Sequence, residues 1–274
     1  MNLKKWTAVL LAMLLLVSAA SAFAEEGDLL SKIKERGVLI VGTEGVWSPW
    51  TFHDPDWETK DLETGELTGF DVEIARRIAA YLGVDVEIKE AEWSGLLAGV
   101  KAGRWDIVCN GVGLTEERAK SYSFSDPYIY SEKYLIVRSD NETITSLDDV
   151  AGLTSANSPG STYLLLAQEY GATVIPTDAF QDCVQQLEQG RVDFTINSKA
   201  SYEDYISQHP EAKIKVAAAL PGDPVAFPVD NTEYTASFLA EVNAALAAMR
   251  EDGSLAELCI FFMGEDLTNE LPEE

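Results

Sequence analysis

GVLIVG (residues 37–42), FDVEIARRIAAYL (70–82) and VDVEI (84–88) decide the fold. The first is an apolar run between two glycines, too short for a helix and long enough for a strand. In the second, Phe70, Ile74, Ala75, Ile78 and Leu82 recur at helical spacing, and in the third apolar and acidic residues alternate as in a half-buried strand. Strand, helix and strand in succession is the unit of an α/β fold. The rhythm continues through a strand over 105–109 and resumes with strands over 134–137, 173–175 and 192–196. Helical spacing covers 162–170, 179–189, 201–208, 233–250 and 254–262. The expectation is an α/β chain with mainly parallel sheets flanked by helices. Two proline-bearing segments, SDPYIYSEKY (125–134) and PGDPVAFPVD (221–230), interrupt this alternation and read as crossovers. The polar end from Thr268 to Glu274 reads as frayed.

Composition narrows the function. Of 274 residues 46% are hydrophobic and 24% charged, enough apolar material for a sizeable core. Twenty Lys and Arg stand against 46 Asp and Glu, a net charge of −26, whose field repels phosphate backbones and argues against nucleic acid as a partner. Cys109, Cys183 and Cys259 are too few for a disulfide scaffold and sit in apolar settings, as buried thiols do. Residues 1–24 read as a secretory signal: Lys4 and Lys5, an apolar run from Trp6 to Val17, and an Ala22-Phe23-Ala24 cleavage site. That run is shorter than the roughly 20 residues a membrane span needs. Cleavage leaves about 250 residues with a net charge of about −28, expected outside the cytoplasmic membrane. With two histidines, no Ser/His/Asp or Cys/His set is identifiable. His53, Asp54 and Asp56 surround a proline and read as a turn, and His209, before Pro210, as a helix end; neither metal nor cofactor is expected.

Nine short motifs, in order, carry a resemblance. They are RGVL with VGT (36–43), WSPW (47–50), GFDV (69–72), Trp93 through Gly103 with Asp106, GLTEER (113–118), FSDPY (124–128), GST (160–162), GRVD (190–193) and GEDLT (264–268). In this order the chain resembles the extracytoplasmic (periplasmic) solute-binding proteins of ABC importers, the polar amino-acid family, family 3. The resemblance implies a two-lobed, type II periplasmic-binding-protein fold with a two-stranded hinge and a ligand in the cleft. Lobe 1 would be 25–129 and 232–274, lobe 2 would be 135–222, and the hinge would lie near 130–134 and 223–231. A free amino acid would be the ligand, a membrane permease the partner, and a monomer the working state.

A free amino acid asks for an anion clamp, a cation acceptor and a wall. Arg118 is the clamp: its guanidinium matches a carboxylate in bidentate fashion, and Thr115 can cap the short helix that carries it. By the resemblance, Gly111 and Gly113 offer backbone groups to the ligand, and Trp47 and Trp93 place rings against its side chain, suited to an apolar, aromatic or cationic group. Ser161 and Thr162, at a helix N-terminus, would grip the same carboxylate from lobe 2, and Glu44 would meet a polar or cationic side chain. One position departs from the pattern. The family usually carries, five residues after the aspartate of GRVD, a second aspartate that holds the ligand ammonium; here that position is Ser198. Glu44, Asn197 or another acid then supplies the counter-charge, or the ligand is not a standard α-amino acid. The leading reading is a binding protein without catalytic residues that delivers an amino acid to its permease. The alternative is a cyclohexadienyl dehydratase-like enzyme on the same fold, with Glu44 as general acid. A purely sensory module is disfavoured.

Overall fold

The computed structural model describes residues 27–54 and 67–269. The signal segment, Asp56 and residues 270–274 lie outside them. Helix α1 (Leu29–Arg36), capped by Asp28, leads into β1 (Val38–Thr43). A small antiparallel sheet of β2 (Val46–Trp47), β3 (Thr51–His53) and β4 (Leu67–Thr68) precedes α2 (Phe70–Leu82) and β5 (Asp85–Glu90). Next come α3 (Trp93–Lys101) and β6 (Ile107–Val108). The strands β5, β1 and β6 form a parallel sheet in that order, as the strand–helix–strand reading requires. The buried stripe of α2 includes Phe70, Ile74, Ala75, Ile78 and Leu82, the residues whose spacing predicts that helix.

A second sheet has the order β10-β9-β11-β8-β12 and is mixed. Its parallel part is β9 (Thr154–Asn157), β10 (Thr173–Pro176) and β11 (Phe194–Ser198). Its antiparallel part is β8 (Ile129–Arg138) and β12 (Ile214–Val225), the two long strands that carry the chain in and out. Prolines do not break them. Pro221 falls in a register shift between Leu220 and Asp223, and Pro224 sits opposite Tyr130 near the strand end. Helices α5 (Thr162–Glu169), α6 (Phe180–Glu188) and α7 (Lys199–Gln208) belong to this half. The chain then returns: β13 (Pro228–Asp230) pairs with β7 (Tyr122–Phe124), and α8 (Ala236–Glu251) and α9 (Ser254–Met263) pack on α2.

Core packing separates the two halves. One cluster joins Leu39, Phe70 and Ile78 to Tyr128, Phe227, Phe238 and Leu255, so Val225, Phe227 and Val229, read as crossover, belong to the first half's core. On either face of the second sheet lie clusters around Leu135 and Phe194 and around Ile136 and Val184. All three cysteines are free, buried thiols. Among the described residues no helix is long and apolar enough to cross a membrane, and no His, Cys, Asp and Glu group suits a metal. His53 instead meets Glu90 at 2.9 Å.

Trp105 fixes how α3 lies on the first sheet. Its indole donates to the carbonyl of Leu96 at 3.0 Å, and its ring lies where a Cβ on Gly99 would fall 1.9 Å from Cζ2. Gly99→Ala should therefore force the ring out and lower stability by about 1–3 kcal/mol. Chemical denaturation measures it, and an unchanged midpoint would contradict this packing.

Candidate functional site

A cavity of about 50 Å³ lies between the two halves. That is room for a few water molecules. Eight of the nine sequence-predicted residues line it: Glu44, Trp47, Trp93, Gly111, Gly113 and Arg118 from the first half, Ser161 and Thr162 from the second. Asn110, Ser158, Tyr163, Asp178, Phe180 and Asn197 complete most of the wall.

Arg118 sits in α4 (Glu116–Ala119), whose cap is the Thr115 side chain accepting from the Arg118 N–H at 3.2 Å. Its guanidinium donates to the Gly113 carbonyl at 2.7 Å and, across the cleft, to the Gly160 carbonyl at 3.0 Å. The same group lies 5.3 Å over the Trp93 ring. Glu117, a neighbour that could have paired with it, takes Lys120 instead. Burial lowers the arginine pKa from its ordinary value but leaves a cation held by neutral carbonyls, ready for an anion.

Gly111 cannot be another residue. Its φ is +55°, and a Cβ there would meet the Trp47 ring at 2.6 Å. Its N–H donates to the buried Asp71 at 2.6 Å. Trp47 stacks on Trp50, with centroids 5.2 Å apart, and its indole donates to Asn197 at 3.3 Å. Ser161 behaves as the simple cap, its hydroxyl accepting from the Leu164 N–H at 3.1 Å, while Thr162 begins α5 beside Gly113.

The ninth residue falls elsewhere. Ser198 is fully buried and does not line the cavity. Side chains alternate along β11, so Asn197 faces the cleft while Ser198 caps α7 by accepting from the Ser201 N–H at 3.1 Å. Its hydroxyl also accepts from the Trp50 indole at 3.2 Å. The acid that sequence reading leaves unnamed is Asp178, in the loop between β10 and α6. No motif marks it, because the bend of that loop alone brings it to the cleft. Asn110 could have been found, since it stands beside Gly111, between the strand over 105–109 and GLTEER.

Glu44 is the most perturbed carboxyl in the wall. Its carboxylate accepts from Asn110 at 2.6 Å and from the backbone N–H of Trp93, the first residue of α3. Burial pushes its pKa up from 4.5 to about 7; the hydrogen bond from Asn110 opposes this, and the charge of Asp178 adds to the rise. Negative charge thus gathers around Glu44 and Asp178, whereas Arg118 points at Gly113 and Gly160.

A family model described as bacterial extracellular solute-binding proteins, family 3, matches residues 39–265. The chain belongs to that family. Two relatives agree along most of the length. A probable amino-acid ABC transporter-binding protein of Haemophilus influenzae is 36% identical over 91% of this chain and 94% of its own. The L-cystine-binding protein TcyA of Bacillus subtilis is 38% identical over 89% of this chain and 88% of its own. Among solved structures, the ancestral amino acid-binding protein AncCDT-1, a precursor of cyclohexadienyl dehydratase, superposes with a TM-score of 0.75. It is 28% identical, over 86% of this chain and all of that one. The fold is the two-lobed, type II periplasmic-binding-protein fold of these relatives.

Protonation of Glu44 and of Asp71, whose pKa burial also raises to about 7 from 3.8, sets a pH dependence. Between pH 4.5 and 7 the folded chain holds protons on these groups that the unfolded chain has released. Ligand-free stability is then greatest below about pH 4.5 as far as these groups are concerned, and is lost as pH rises through 7. Each contributes on the order of 3–4 kcal/mol at most. Denaturation at pH 5.5 and 8.0 should show lower stability at 8.0, with a smaller fall in Glu44→Gln. A native protein equally stable at both pH values would contradict the assignment.

Proposed function

We propose that this protein binds a free amino acid outside the cytoplasmic membrane and hands it to the permease of an ABC importer. The observation that carries the reading is Arg118, a half-buried guanidinium in the cleft whose donors meet neutral carbonyls. The ligand carboxylate takes their place, with the first-turn N–H groups of α5 behind it. Gly111, Gly113, Ser161 and Thr162 shape this end. Trp47 and Trp93 form the wall for the side chain.

The opposite charge lies at Glu44 and Asp178, one from each half, which favours an amino acid whose ammonium or side chain brings positive charge between them. A cation there lowers the Glu44 pKa again, so binding releases a proton near neutral pH and tightens as pH rises through 7. The cavity is too small for an amino acid as it stands, so entry needs the halves to part. The β8 and β12 ladder is the hinge, with lobe 1 running to about 129 and resuming near 225. Residues 1–24 serve as the export signal, and the mature chain works as a monomer in the periplasm or its equivalent.

A second reading has one observation behind it. A Glu44 raised to about 7 holds the proton that a general acid needs, and AncCDT-1 is a precursor of cyclohexadienyl dehydratase. Both curated relatives reported above carry the names of binding proteins. The two readings demand opposite charge states of Glu44 with ligand bound.

Titration calorimetry with L-cystine, L-arginine and L-lysine separates them. One of these should bind, and Arg118→Ala should weaken it by roughly 2–5 kcal/mol, about 30-fold to several-thousand-fold. Unchanged binding would remove Arg118 from the site. Sustained conversion of prephenate or arogenate to the aromatic product, lost in Glu44→Gln, would replace the transport reading by the enzymatic one.

A further inference from the structure

Three consecutive residues where β11 runs into α7 each reach across to the other half. Asn197 accepts from the Trp47 indole at 3.3 Å, and Ser198 accepts from the Trp50 indole at 3.2 Å. Lys199 donates to Glu265, on the segment after α9, at 2.5 Å, and lies 3.3 Å from Glu132 in β8. The middle bond is dry: Trp50 is 1% exposed and Ser198 not at all. Its acceptor has little left to give a ligand. Ser198 Oγ accepts from Trp50 and from the Ser201 N–H, lies 2.9 Å from the Ser201 hydroxyl and also meets Tyr163, so its bonding is taken up by the protein.

We infer that Asn197, Ser198 and Lys199 form a latch that holds the halves together without ligand, with Trp50 and Ser198 as positioning residues that set how often the site is closed. None of these bonds includes the ligand. Trp50 also backs the ligand-facing Trp47 ring by stacking, so the latch fixes the wall of the cavity as it closes. The position where the resemblance leads one to look for an ammonium-holding carboxylate is thus used to join the halves, and the counter-charge moves to Glu44 and Asp178. A buried hydrogen bond or ion pair of this kind shifts an open–closed ratio by about fivefold. The apparent affinity for any ligand that needs the closed form scales with the closed fraction.

The test needs no ligand, so its failure leaves the amino-acid reading untouched. Native protein, Trp50→Phe and Lys199→Met are stripped by unfolding and refolding and compared by small-angle X-ray scattering. Phenylalanine keeps an aromatic ring but has no N–H to donate; methionine keeps the stem of Lys199 but not the charge. The expected result is a compact ligand-free native protein and a larger radius of gyration in each variant, with the open–closed ratio raised about fivefold. If Trp50→Phe does not refold, Lys199→Met, at a partly exposed position, carries the comparison alone. Superimposable profiles for the native protein and the refolded variants would overturn the latch.

Discussion

Asp71 is the knot on which the site depends. Placed in the first turn of α2 and wholly buried, its carboxylate accepts from the Gly111 N–H at 2.6 Å and from the Tyr128 hydroxyl at 2.7 Å. Tyr128 in turn stacks on Phe227 at 4.0 Å. One side chain therefore joins a core helix, the turn that floors the cavity and the two crossings between the halves. Burial raises its pKa to about 7, an electrostatic cost offset by the order it gives to Gly111. Without that bond Gly111 would not be held in its left-handed turn against Trp47.

Much of this was legible in sequence. The apolar spacing of α2 and the short strands on either side define a parallel unit, and the structure builds it with the same buried residues. Of the long strands β8 and β12, only 134–137 of β8 was legible as strand. Proline reads as a breaker, yet Pro221 lies at a register shift and Pro224 near the end of β12, where one lost donor does little harm. The site divides in the same way. Residues in ordered motifs, such as Arg118 in GLTEER, reach the cavity. Asp178 escapes because only the path of a loop brings it there, and Ser198 misleads because a one-residue step along a strand turns a side chain to the other face.

The cavity's charges account for its selectivity. A guanidinium facing carbonyls and a carboxyl pair facing each other across the cleft are each unfavourable when the cleft is empty and closed, and each improves when a zwitterion bridges them. The raised pKa of Glu44 is owed first to burial, and the charge of Asp178 adds to it. Closure and binding are then coupled through charge, while the contacts at Trp50 and Ser198 act on closure and, through the stacked Trp47, on the cavity wall.

The most direct check of this account is the chemical identity of the molecule in the cleft. Native mass spectrometry of protein carrying ligand through purification, or recovered from a mixture of amino acids, gives its mass and composition. The account predicts a small molecule with a carboxylate and at least one amino or guanidino group. A bound sugar, or an anion without a positively charged group, would contradict it.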